Sequence, residues 1–206
     1  MGQQCCDTKD FDGTTRGYRQ ALVAVIIINA AMFVVEILGG AWAGSQALKA
    51  DALDFLGDAL TYGLSLWVIG RSLKTRASAA LLKGISLALM GFWVLGSTAW
   101  QVLILGVPSA GIMGAIGVMA LVANLASVLI LLRYRDGDAN VRSVWLCSRN
   151  DAIGNVAVIG AAVVVGVTAS PWPDLVVAAL MAGLFLKSSV DIIRQAMNEL
   201  QLNASR

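Results

Sequence analysis

Two pairs of side chains with metal-binding chemistry lie in apolar stretches of this sequence. Asp54 and Asp58 are four residues apart, and Cys147 and Asp151 repeat that spacing. In an α-helix, side chains four residues apart lie on one face, about 6 Å from each other. If the two faces meet, three carboxylates and one thiolate converge. Such a set suits a tetrahedral divalent cation, and the thiolate favours Zn²⁺ or Cd²⁺ over Mg²⁺ and Ca²⁺.

Each of these residues also has a structural interpretation when it is taken singly. A buried aspartate can be a protonated acid that bonds a neighbour, and a lone cysteine is more often a small buried hydrophobe than a ligand. Two pairs with identical spacing favour the metal site. Depth is an argument against it, because Asp54 and Asp58 lie ~12–18 Å from the outer end of their helix and the second pair lies further from its own.

The composition of the chain predicts a membrane environment for both pairs. The 206 residues are 58% hydrophobic and 14% charged, with a mean hydropathy of +0.75, and whole segments of about 20 residues are apolar on every side. Histidine is absent, which excludes His-based catalysis and His metal sites. The net charge of +2 gives no reason to expect nucleic acid as a partner. The three cysteines do not indicate a disulfide scaffold.

We predict an all-α membrane protein with six transmembrane helices, because backbone groups in lipid must be satisfied within each segment. The helices are expected at residues 18–40, 47–69, 79–105, 111–132, 141–167 and 175–193. This divides the chain into a cytoplasmic N-terminal tail at 1–17, a six-helix transmembrane domain at 18–194 and a short cytoplasmic C-terminal tail at 195–206. The first 17 residues are polar, so no cleavable signal peptide is expected.

The basic residues of the connections predict the orientation. The first, third and fifth connections contain no Lys or Arg, whereas the second and fourth are basic. The basic residues of those two connections are Arg71, Lys74 and Arg76, and Arg133, Arg135 and Arg142. Since cytoplasmic loops carry the excess of basic residues, both termini are predicted to be cytoplasmic.

Other polar residues of the predicted helices and of the tail are weaker candidates. Asp51 pairs with Lys49, lines an exit path or acts as a ligand, with pairing favoured. Glu36 bonds either neighbouring helices or cavity water, and the structural role is favoured. Cys5 and Cys6 either collect soft metal or form a reactive pair without function, which is the favoured alternative.

Five stretches of the chain, in order and spacing, resemble the cation diffusion facilitator family. "NAAMFVVEILGG" (29–40) resembles the family's first helix, and "SQALKADALDFLGDALTYGLSL" (45–66) resembles its second. "LVANLASVLIL" (121–131), "VWLCSRNDAIGNVAVIGAAVV" (144–164) and "WPDLVVAALMAGLFL" (172–186) resemble its fourth, fifth and sixth. The resemblance covers almost the whole chain.

The resemblance implies a transporter with six helices and both termini inside, usually a homodimer. Such proteins move Zn²⁺-like cations out of the cytoplasm in exchange for protons. By position, Asp54, Asp58, Cys147 and Asp151 match the family's transport site. The sequence departs from the family in having Asp/Asp and Cys/Asp pairs where His/Asp is common, and in having no His-rich loop. We do not expect the family's cytoplasmic metal-binding domain after the sixth helix. The substrate metal, the proton stoichiometry and dimerisation therefore stay open.

From these observations we expect a Zn²⁺ or Cd²⁺ efflux transporter, a proton-coupled antiporter working by alternating access in the bacterial inner membrane. Its partners would be divalent ions, protons, membrane lipid and a second copy of the chain. It would not be an enzyme and would need no cofactor beyond the transported ion. An intramembrane aspartyl protease needs Gly-x-Gly-Asp, but Phe55 stands at the first glycine position before Asp58. A proton-coupled small-molecule exporter, an intramembrane metal-dependent enzyme and a non-transporting partner subunit are the remaining alternatives.

Overall fold

The computed structural model describes residues 15–68, 73–104, 106–134 and 139–204. Within these ranges the chain is helical and contains no strand, which confirms the predicted all-α class. A short 3-10 turn, Leu132–Tyr134, follows the fourth helix. The six helices are α1 (Arg16–Ala43), α2 (Gln46–Val68), α3 (Leu73–Ile104), α4 (Ala110–Leu131), α5 (Ala139–Thr168) and α6 (Trp172–Ala204).

Several helices are longer than hydropathy predicts. The third helix begins at Leu73 and the sixth continues to Ala204, through most of the predicted C-terminal tail. Hydropathy marks only the part of a helix that suits hydrocarbon, whereas the backbone hydrogen-bond ladder continues wherever the residues still favour a helix.

Among the described residues, five helical segments are long and apolar enough to cross a membrane. They are Arg16–Ala43, Ala77–Ile104, Ala110–Tyr134, Asp151–Thr168 and Trp172–Asn198. Helix α2 has 23 residues, enough for about 30 Å of hydrocarbon, but it carries one lysine and three aspartates. This acidic helix is central in the bundle and packs against α1, α3, α5 and α6.

The helices associate in two groups. Helix α3 packs most extensively on α6, while α1, α2, α4 and α5 form the other group. Helices α3 and α6 approach closely at Gly84, because glycine has no side chain. A Cβ atom at this position would lie only 2.7 Å from Cγ1 of Ile193. The hydroxyl of Ser189 donates a hydrogen bond of 2.8 Å to the carbonyl of Gly84 across the same contact. Helix α2 therefore lies where the two groups meet.

A single carboxylate from α6 caps the beginning of α2. Asp174 accepts hydrogen bonds from the Ser45 hydroxyl at 2.5 Å, from the Gln46 N–H at 2.8 Å and from the Ala47 N–H at 3.0 Å. The Ser45 hydroxyl in turn accepts from the Leu48 N–H at 3.0 Å. The first N–H groups of a helix have no partner within the helix, so this contact satisfies them. We call this end of the bundle the Ser45 end.

Candidate metal-transport site

A cavity of about 690 Å³ lies between α2, α3, α5 and α6. The three aspartates of the sequence-predicted site line it, while Leu87, Met90 and Phe185 contribute apolar wall. The lining residues of α2 run from Asp54 to Leu64, so the cavity extends from the middle of α2 away from the Ser45 end.

The packing of α2 against α5 brings the three carboxylates together. Asp54 and Asp58 lie one turn apart on α2, and Asp151 of α5 is within hydrogen-bonding reach of both. All three side chains are partly exposed. Gly57 and Gly154 also line the cavity, and a Cβ atom at Gly154 would meet no other atom within 4 Å. The small residues therefore leave space beside the acids.

The difference in depth noted in the sequence does not keep the acids apart. Asp151 meets both α2 aspartates, although α5 continues ~25 Å from it to Thr168 while α2 begins only ~12 Å before Asp54. Helix α5 therefore extends further beyond the acids than α2 does.

The fourth member of the predicted site lies outside the described side chains. Cys147 belongs to α5, one turn before Asp151, but its side-chain position is not among those described. Among the described residues, no group of three or more His, Cys, Asp or Glu side chains is gathered closely enough to hold a metal ion. The carboxylates are neighbours rather than a closed chelate, and their role as ligands stays a prediction.

Two further residues act on the acids and were not predicted from the sequence. The Tyr62 hydroxyl donates a hydrogen bond of 2.5 Å to Oδ2 of Asp58. The i, i+4 spacing of these two residues on α2 was the available signal. Lys83 lines the cavity, and its charge acts on Asp58. No local spacing in the sequence places Lys83 in a cavity with α2, because helix tilt and cavity shape are not local properties.

Glu36 and Asp51 lie outside this cavity. Both are buried, with 0% and 1% of their surface exposed, and their carboxyl groups face each other between α1 and α2. The group that acts on Asp51 is therefore Glu36, whereas Lys49, its favoured partner in the sequence, acts on Asp174. Cys5 and Cys6 lie outside the described residues.

Comparison with known proteins identifies the domain family of this helical chain. Residues 22–201 match the model of the cation efflux transmembrane domain. The chain belongs to the cation efflux family. This confirms the resemblance to cation diffusion facilitators, and the chain is an integral membrane protein of the bacterial inner membrane.

Several curated bacterial proteins are similar to this family member over most of its length. Zinc transporter ZitB of Pectobacterium atrosepticum is 27% identical over 91% of the chain. Metal cation efflux system protein CzcD of Cupriavidus metallidurans is 23% identical over 88%. A cadmium, cobalt and zinc/H(+)-K(+) antiporter of Bacillus velezensis is 23% identical over 87%. The matches cover 62%, 63% and 61% of these relatives, respectively, so the chain spans less than two thirds of their length.

Proposed function

We propose that this chain exports divalent metal cations of the Zn²⁺ and Cd²⁺ class by proton-coupled antiport. The observation that carries the proposal is the meeting of Asp54, Asp58 and Asp151, from two helices, in the wall of one cavity. The family match supports metal efflux, and the similar proteins include a zinc transporter and a cadmium, cobalt and zinc/H(+)-K(+) antiporter. The relatives are transporters, which favours transport over catalysis.

In this proposal the ion binds the three aspartates together with the thiolate of Cys147. Metal ions bind deprotonated carboxylates and thiolates, so cation and protons compete for the same groups. The hydrogen bond from Tyr62 holds the Asp58 carboxylate in one orientation. Protons that bind from the outside would then release the ion to that side.

The orientation completes the mechanism. We place all six helices across the membrane with both termini in the cytoplasm. The cavity then lies on the cytoplasmic side of the acids, because it extends from Asp54 away from the Ser45 end. Alternating access requires one group of helices to move against the other around the site. The α3–α6 pair and the remaining four helices are the natural moving groups, and we expect two copies of the chain to form the working unit.

The decisive experiment is transport by the full chain in proteoliposomes under a pH gradient. We expect Zn²⁺ and Cd²⁺ flux in the wild type and background flux in Asp58→Asn, which keeps the shape but removes the charge. Thr98→Val is the matched control, because Thr98 is buried, its hydroxyl has no described partner and it does not line the cavity.

Two results would contradict the proposal. One is metal flux in Asp58→Asn equal to that of the wild type. The other is a gradient-driven flux of a lipophilic cation without any metal flux, which would indicate the small-molecule exporter instead.

A further inference from the structure

A second pair of acids lies between the cavity and the Ser45 end. Glu36 of α1 and Asp51 of α2 face each other, and neither lines the cavity, whose wall on α2 begins at Asp54. Asp51 precedes Asp54 by three residues, in the direction of the Ser45 end. The pair therefore lies on the side of the transport site that the cavity does not reach.

The oxygens of this pair lack the partners that buried carboxylates require. Both oxygens of Glu36 and Oδ2 of Asp51 meet no hydrogen-bond donor from another described residue, and the two carboxyl groups have only each other. The charged groups that act on Glu36 are Asp51 and Asp54, and no described Lys or Arg acts on either member of the pair. Buried carboxylates without donors or counter-charges are costly. A cation between them would satisfy three orphaned oxygens together.

Asn155 on α5 is an independent indication of a ligand at this level. It is fully buried, and neither atom of its amide has a partner among the described residues. It follows Asp151 by one turn on the same face of α5. Helices α2 and α5 run in opposite directions, so the step from Asp151 to Asn155 leads the same way as the step from Asp54 to Asp51. The register thus places an unsatisfied amide at about the depth of the acid pair in the bundle.

We propose that Glu36 and Asp51, with the amide oxygen of Asn155, form a second cation station through which the transported ion passes on its way out. This inference rests on the proposed export function. The station offers only oxygen ligands, so it holds Zn²⁺ or Cd²⁺ less firmly than a site with a thiolate does. Weaker binding suits a site through which the ion only passes, because the ion must also leave that site.

Apolar packing around the Ser45 end separates the station from the outside in this structure. Buried apolar side chains from all six helices form one cluster, which includes Ala47, Ala50 and Met113 towards the Ser45 end and reaches Met181 in the cavity wall. In this arrangement the cavity serves the first site only. Movement of the two helix groups that opens the cluster would connect the station to the outside.

The test uses ¹¹³Cd NMR and equilibrium Cd²⁺ binding on the full chain in lipid nanodiscs. We expect one ¹¹³Cd signal of thiolate type and a second, weaker-binding signal in the all-oxygen range. Glu36→Gln should lose only the all-oxygen signal and its bound ion, whereas Asp54→Asn with Asp58→Asn should lose the other. Gln46→Met is the matched control, because it removes a buried polar side chain of α2 whose Oε1 also lacks a described partner.

The outcomes separate this inference from the proposed function. If Glu36→Gln and Asp51→Asn both bind Cd²⁺ as the wild type does, while the Asp54 and Asp58 variants lose all binding, the station is refuted and the transport site stands. If the wild type binds no metal, the proposed function itself fails. If Glu36→Gln keeps both ions and changes only the pH dependence of transport, the pair carries protons and the station is refuted. Glu36→Asp, which retains a carboxylate, should keep the second ion.

Discussion

The acid at the Ser45 end of α2 and the acids in the cavity differ in what surrounds their carboxylates. At the Ser45 end, both oxygens of Asp174 accept hydrogen bonds, from one hydroxyl and two backbone N–H groups. In the cavity, Asp54, Asp58 and Asp151 mainly face one another. An acid surrounded by donors is a structural element, whereas acids gathered together need a cation or protons.

The same comparison separates the two helix groups. Helix α3 and α6 are joined by close backbone approach and by the bond from Ser189 to Gly84. The contacts of α2 and α5 with this pair are less extensive, and the cavity with its acids and glycines lies between them. A loosely packed polar contact beside a tightly packed apolar pair is the arrangement in which we expect movement.

The largest expected effect comes from the cavity acids. Asp54→Asn and Asp58→Asn should each reduce metal transport to background, because two carboxylate ligands come from α2. The unfolding temperature of the metal-free protein should stay unchanged or rise, since repulsion between neighbouring acids is relieved. Proteoliposome flux and thermal unfolding in detergent measure the two effects. A marked drop in unfolding temperature would show that these acids are structural.

Asp174 should show the opposite pattern. Asp174→Ala leaves the Ser45 hydroxyl and the Gln46 and Ala47 N–H groups without their acceptor, at a cost of about 2–4 kcal/mol in the free energy of unfolding. The remaining folded protein should still bind metal. Denaturation in mixed micelles measures the loss of stability, and Cd²⁺ titration measures metal binding. Normal stability with lost metal binding would show that Asp174 serves the metal site and not the cap of α2.

Cys147→Ser should change selectivity rather than abolish transport. A hydroxyl replaces the soft thiolate, so the preference for Cd²⁺ over Zn²⁺ should fall by roughly tenfold while transport of Zn²⁺ persists. Competition flux with both ions measures the ratio. Unchanged selectivity would assign Cys147 to packing and leave an oxygen-only transport site.

Tyr62→Phe should have the smallest effect of the four. The substitution removes one hydrogen bond to Asp58 and keeps the buried ring. We expect the half-saturating metal concentration to rise about fivefold, the equivalent of ~1 kcal/mol, with the maximal rate preserved. A lower maximal rate at unchanged half-saturation would mean that Tyr62 acts on helix movement instead of ligand orientation.

Local patterns were sufficient to predict helices, their approximate positions and the pairing of Asp54 with Asp58. Hydrocarbon requires helices of a certain length, and the helical period determines which neighbours share a face. The position of Lys83 in the cavity, the capping of α2 by Asp174 and the facing of Glu36 and Asp51 could not be predicted in this way. Those contacts join residues far apart in the chain, and they depend on which helices pack together and at what register and tilt, which no local spacing specifies.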